Sequence, residues 1–271
     1  MTIAHEVTGT GPAVLLLHAG VCDRRMWEPQ WPVLANAGYQ VIRCDFRGFG
    51  DTPPADGPAS DVDDVVDLMD ALGLGRAALV GSSYGGRVAI EVAARWPDRV
   101  SALLLLCAAL PGHQPSAELE AFWEQEAALL DAGDVAAAVE LNVATWLGPE
   151  ASEAVRADVR KMQRRAFDLQ LAVTPPEDAV AAPGADEAGA AGADEAAPGL
   201  DLSAVSAPCL ALSGGHDLPD FRQIAASLPG LLADARHREL PWAGHLPSLE
   251  RPADITPLLT GFLAERFPAA R

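Results

Sequence analysis

The chain has 271 residues, 49% of them hydrophobic and 21% charged, the balance of a soluble globular protein with room for one α/β domain and an insertion. No apolar run approaches the ~20 residues that span a bilayer. The formal net charge of −19 opposes phosphate backbones and anionic lipid surfaces, which sets aside nucleic-acid and membrane partners and leaves a small-molecule substrate as the expected partner.

The opening MTIAHEVTGTGP has neither the basic start nor the apolar stretch of a secretory leader, so a cytoplasmic location is expected. Its middle reads as an antiparallel edge strand. Strand-like runs then recur at AVLLLH (13–18), QVIRCD (40–45), AALVGS (77–82), SALLLLCA (101–108), PCLALSG (208–214) and ARHREL (235–240), with helical patterns between them. Near-continuous apolar strands alternating with helices predict an α/β fold on a mostly parallel, doubly wound sheet. Cys44, Cys107 and Cys209 sit inside these runs as small hydrophobes, and Cys22 stands alone. Without a CxxC pair, a zinc site is disfavoured and a disulfide framework is unnecessary.

The alternation stops after Leu110. From Ser116 to Val173 apolar residues recur at helical spacing, among them Leu119, Phe122, Trp123, Val139, Val143, Trp146, Val159, Met162 and Leu169, and Gly133 and Gly148 stand where helix ends are expected. A simple crossover between parallel strands needs only about a dozen residues, so this segment reads as an inserted helical cap. Between Ala166 and Phe221 there are ten Asp or Glu and no Lys or Arg, and GADEA occurs twice within residues 175–199. Such a composition offers little to bury and predicts a flexible acidic linker. The expected organisation is a first core part over 1–110, a cap over 111–174, the linker over 175–200 and a second core part over 201–271.

The run Gly81-Ser82-Ser83-Tyr84-Gly85-Gly86 lies where a strand becomes a helix. A GxSxG turn there is a nucleophile elbow: Gly81 and Gly85 let backbone approach backbone, and Ser83 is pushed into the open. A serine hydroxyl is a weak nucleophile near neutral pH unless a positioned base takes its proton and an acid fixes that base's tautomer. Asp217 follows PCLALSG, Asp220 stands three residues on, and His245 follows ARHREL through PWAGH. These are loops at the carboxyl edge of a parallel sheet, where such sheets build their sites. His5, His113, His216 and His237 read as surface or turn residues.

With Ser83, an acid and His245 in this order, the chain resembles the α/β-hydrolase family over nearly its whole length, in its serine-nucleophile, enol-lactonase and esterase-like branch. The resemblance implies Asp217 as the acid in preference to Asp220. It also implies backbone N–H groups of Gly20 and Tyr84 as the oxyanion hole, although Ala19 stands where the family shows glycine after His18. His18 is expected to brace its loop, and DFRGFGDT (45–52) to form a turn with Asp45 and Arg47 paired locally. Cys22, Arg24 and Trp27 in HAGVCDRRMW, Trp146 on the cap and Trp242 before Ala-Gly-His are the candidate substrate-binding residues. Family members that open epoxides or displace halide use Asp as nucleophile, and Ser83 argues against both; HAGVCDRRMW and GHDLPDF look closest to the enol-lactonase and small-ester side, which implies a carboxylic ester or lactone, cleaved without metal or cofactor. A C–C bond hydrolase, thioesterase or perhydrolase would use the same three residues, and a non-turnover receptor the same scaffold.

Overall fold

The computed structural model describes residues 2–172 and 200–269. The linker expected over 175–200 falls, but for Leu200, outside them. One sheet holds seven strands among the described residues, in the order β1-β3-β2-β4-β5-β6-β7: β1 (His5–Thr8), β2 (Ala13–Leu17), β3 (Gln40–Cys44), β4 (Ala77–Ser82), β5 (Val100–Leu106), β6 (Cys209–Gly214) and β7 (Ala235–Leu240). Only β1 is antiparallel, paired with β3 at the edge.

The central strands β2, β4 and β5 are buried along their whole length, because helices cover both faces and every side chain must be apolar whichever way it points. Successive residues divide between two cores. Val14 and Leu16 pack with Leu259 and Leu263 of α9 (Pro252–Arg266). Leu15 and Leu17 pack instead with Val65 and Leu68 of α2 (Asp61–Ala71) and with Val88 of α3 (Tyr84–Arg95). The two-residue period of a strand thus produces the doubly wound architecture.

Between β5 and β6 lie α4 (Ala117–Asp131), α5 (Val135–Trp146) and α6 (Glu153–Gln170). Each begins with a side-chain cap, from Ser116, Asp134 and Ser152 respectively, which satisfies an N–H that the first helical turn leaves unpaired. Gly133, at φ +74°, makes the turn between α4 and α5. The insertion is fastened to the core at several places, two of them through backbone carbonyl acceptors. At one, His245 N–H donates to the Trp146 carbonyl at 2.9 Å. At the other, Gln170 and Arg165 of α6 donate to the Gly48 and Gly50 carbonyls at 3.3 and 3.2 Å. Asp45 and Arg47 do not pair with each other, contrary to the local pairing expected of their turn: Asp45 takes the Arg24 guanidinium and Arg47 takes Asp64 at 2.6 Å. None of the described helices is long and apolar enough to cross a membrane.

Candidate active site

The strand-to-helix turn after β4 holds Ser83 at φ +51°, ψ −115°. A non-glycine residue at positive φ costs about 1–3 kcal/mol and persists only where its surroundings over-determine it. They do so here. Ser83 N–H donates to the Leu106 carbonyl at 2.9 Å, its carbonyl accepts from Gly86 and Ala109 at 2.9 and 3.1 Å, and Gly85 N–H reaches the His18 carbonyl at 3.1 Å. Side chains have no room. A Cβ on Gly81 would lie 2.3 Å from the Gly85 carbonyl oxygen, one on Gly85 would lie 2.4 Å from that of Leu17, and one on Gly86 would meet the Ala108 Cβ at 2.5 Å.

His18 supports this turn from the other side. Its Nε2 accepts from Phe46 N–H at 3.0 Å, so Nδ1 carries the proton and donates to the Ala19 carbonyl at 2.8 Å. Ala19 N–H is spent on Met26 Sδ at 3.3 Å, and the next residue, Gly20, lines the cleft together with Ser83 and Tyr84.

His245 is 2% exposed and its Nδ1 lies 2.8 Å from Asp217 Oδ2. The other Asp217 oxygen accepts from Leu218 N–H at 2.8 Å, which holds the carboxylate in the turn after β6. An ionised carboxylate only accepts, so Nδ1 carries the hydrogen and Nε2 is the basic nitrogen of the neutral ring. The imidazole is enclosed by Trp146 and Phe221, with ring centroids 4.6 and 4.2 Å away. Glu250 holds the backbone of this loop: its carboxylate accepts from Gly244 N–H at 3.0 and 3.1 Å and from Leu246 N–H at 3.2 Å. Burial pushes the Glu250 carboxyl above its ordinary range, and the N–H donors of Gly244, Leu246 and Gly148 offset part of that.

Cys107, Asp217 and His245 bring one potential metal-ligand atom each to within 4.8 Å of one another. Burial, and then the neighbouring Asp217 charge, push the Cys107 thiol well above its ordinary range. The Cys107 thiol donates to the Gly244 carbonyl at 3.8 Å, and His245 Nδ1 is taken by Asp217.

The cleft over Ser83 and His245 has an open volume of about 710 Å³, and its wall is largely apolar. Core and insertion both contribute. Gly20, Val21, Ala109, Phe221 and Ile224 come from loops and helices of the core, and Leu119, Phe122, Trp123, Asn142 and Trp146 come from the insertion. Trp146 is the one candidate substrate-binding residue that lines it.

The structure does not bring Cys22, Arg24, Trp27 or Trp242 to this wall. Cys22 and Trp27 are fully buried in the core. Arg24 is neutralised by Asp45 and Asp51, and Trp242 packs beneath the Arg251 guanidinium, 4.5 Å from its ring centre. Each is a candidate through nearness in sequence to a site loop, but the short helical turn over Arg24–Trp27 points its apolar side chains inward.

Asp220, the alternative acid, is 1% exposed and turned away from His245. Its Oδ1 accepts from Ser116 N–H at 2.8 Å and from His113 Nε2 at 2.9 Å, and its Oδ2 from the Ser116 hydroxyl at 2.6 Å. Burial opposes its charge, yet the Ser116 and His113 donors together hold the carboxyl below its ordinary range. His113, which the sequence suggests is a surface or turn residue, lines the cleft. The signal that could have found it is its place just after β5, at the same carboxyl edge as the other site loops.

The model of the alpha/beta hydrolase fold matches residues 12–252. Among curated proteins, RutD of Variovorax paradoxus, named as a carbamate hydrolase, is 32% identical over 97% of both chains. Epoxide hydrolase 2 of Siraitia grosvenorii is 39% identical over 113 residues, a match covering 40% of this chain and 36% of that protein. Among solved structures, a thermophilic esterase from Thermogutta terrifontis superposes with a TM-score of 0.77 at 27% identity, covering 97% of this chain and 93% of that one. The enol-lactonase of Burkholderia xenovorans LB400 gives 0.75 at 25% identity over 96% of each.

Proposed function

Because the chain belongs to the α/β-hydrolase family, we propose that it is a serine hydrolase cleaving a small carboxylic ester or lactone through an acyl-enzyme. The observation that carries this reading is the strained Ser83 in one cleft with His245, whose Nδ1 is tied to Asp217 at 2.8 Å. Ser83 Oγ attacks the acyl carbonyl while His245 Nε2 takes its proton. Gly20 and Tyr84 N–H groups receive the developing oxyanion, aided by the N-terminus of α3. The imidazolium protonates the leaving alcohol, and the neutral ring then activates water to release the acid. In a lactone the leaving alcohol stays attached to the acyl group, so the product is a hydroxy acid. Every step uses side chains and backbone N–H groups of this chain, and water.

Serine as nucleophile also separates this chain from its epoxide-hydrolase relatives on chemical grounds. Attack of a serine oxygen on an epoxide carbon would leave an ether, which a histidine and water do not cleave, whereas an acyl ester returns the enzyme. The experiment is labelling of Ser83 by a fluorophosphonate, followed by turnover of a panel of esters, lactones, thioesters and carbamates. Labelling with turnover of esters or lactones is expected. A folded protein that neither labels nor turns over would overturn the reading.

A further inference from the structure

The cleft wall contains a second histidine-carboxylate pair that the mechanism does not use. His113 donates Nε2–H to Asp220, which also receives both donors of Ser116. An ionised carboxylate is acceptor-only, so the proton of the neutral ring is fixed on Nε2 and the lone pair on Nδ1. That Nδ1 has no partner among the described residues. The side chain is 24% exposed, and its ring lies on the cleft wall with the apolar residues Leu110, Pro115 and Ile224.

Apart from His245, which serves Ser83, the other polar side chains on this wall offer no ring-nitrogen acceptor. Asn142 is spent within the protein, giving its amide hydrogens to Glu126 and the Ala138 carbonyl and taking Trp146 Nε1–H at 2.9 Å. The Tyr84 hydroxyl donates to Asp61 at 2.8 Å. The Trp123 indole can only donate. Among the described residues no Lys or Arg lines the cleft, and the one acidic member of the lining is Asp220. An anionic acyl tail would therefore meet no compensating cation among them, and would meet a neighbouring carboxylate.

Resting on the serine-hydrolase reading above, we propose that His113, oriented by Asp220, is a specificity-determining residue whose Nδ1 accepts a hydrogen bond from a distal hydroxyl, so that the substrates are hydroxyacyl esters. The acyl carbonyl sits at Ser83 and the hydroxyl reaches across the cleft to His113. Bound substrate displaces water from this part of the wall, so a plain alkyl chain would leave the Nδ1 acceptor unpaired, and that supplies the discrimination.

The test compares aryl esters of ω-hydroxyacyl, n-acyl and ω-carboxyacyl groups over a series of matched lengths, on wild type, His113→Gln and His113→Asn. Glutamine can keep a donor on Asp220 at the position of Nε2 but carries no atom at Nδ1. Asparagine can place an amide oxygen near Nδ1 but cannot reach Asp220. At the best length, wild type should favour the hydroxyacyl ester over its n-acyl match about tenfold in kcat/KM. H113Q should lose that preference, read as the ratio of hydroxyacyl to n-acyl kcat/KM, with thermal unfolding held, and H113N should keep part of it while unfolding at lower temperature.

Equal rates on hydroxyacyl and n-acyl esters at every length, a preference for carboxyacyl esters, or a preference that survives in H113Q would each overturn the subsite. Uniform loss on all three series would reduce His113 to a loop staple. Fluorophosphonate labelling of wild-type Ser83 separates these outcomes from failure of the hydrolase reading, which would take the subsite with it.

Discussion

Gly85 after β4 and Gly133 between α4 and α5 are both glycines at turns, one in the core and one in the insertion. A side chain on Gly85 would strike the Leu17 backbone at 2.4 Å, while Gly133, although at φ +74°, has nothing within 4 Å of the place its Cβ would occupy. The same contrast runs through the two regions. The core side of the cleft is built from backbone pressed against backbone, with Ser83 hydrogen-bonded to β5 and Gly85 to His18 directly after β2. The insertion side is built from interchangeable apolar side chains on helices, held by caps and a few ties to the core. Close backbone contact leaves few sequences that can form it and so leaves a readable pattern, whereas apolar packing admits many.

The largest effects should fall on the core side. Ser83→Ala is expected to lower turnover on the order of 10^6-fold if the three groups act as a unit, read as ester hydrolysis with loss of fluorophosphonate labelling. Asp217→Asn should cost about 10^4 by favouring the wrong imidazole tautomer. Asp220→Asn should leave turnover of short n-acyl esters within about tenfold while weakening the junction between the insertion and α7 (Pro219–Leu231) by about 2 kcal/mol, because it loses hydrogen bonds to a charged acceptor. An Asp220→Asn loss exceeding that of Asp217→Asn would reverse the assignment of the acid.

The glycine pair measures the contrast directly. Gly85→Ala should cost more than about 4 kcal/mol or prevent folding, and Gly133→Ala about 1 kcal/mol for the left-handed backbone alone, both read by denaturant unfolding. Similar costs at the two positions would remove the distinction between the regions.

On the insertion side, Trp146 touches Phe122, Phe221 and His245. Trp146→Ala is expected to change the ranking among acyl chain lengths by roughly tenfold in relative kcat/KM, the scale of pocket discrimination by a methylene or two, while fluorophosphonate still labels Ser83. An equal loss on every chain length in a folded protein would make Trp146 a packing residue only.

The smallest effects are in pH dependence, and the carboxylates of the two regions carry opposite signs. Asp220 is held below its ordinary 3.8, so its contribution is present above that value and is lost as pH falls through the lower folded value. Burial raises Glu126 of α4 above its ordinary 4.5, against a hydrogen bond from Asn142. Its contribution is therefore fully present below 4.5 and is lost as pH rises through the folded value. Glu126→Gln should accordingly stabilise the protein at neutral pH, and the gain should vanish in acid. Thermal unfolding at the two pH values checks both signs; a gain that grows in acid would contradict this account of Glu126.

Much of the core is legible in the amino-acid sequence alone. Continuous apolar runs such as AVLLL and ALLLL mark strands covered on both faces, and Gly81, Ser83 and Gly85 mark a turn that only glycine neighbours permit, because these features act within a few residues of chain. The order Asp217 then His245 is legible for the same reason, each lying directly after a strand. The wall of the cleft is not. Arg24 and Trp27 lie close in sequence to Gly20 but turn into an ion-pair cluster and the core. His113 and Asp220, 107 residues apart, meet only because β5 and β6 are neighbours in the sheet and the loops that follow them share one edge. Local backbone constraints are written in adjacent residues, whereas the company a side chain keeps across the cleft depends on strand order and helix placement, which only the tertiary structure decides.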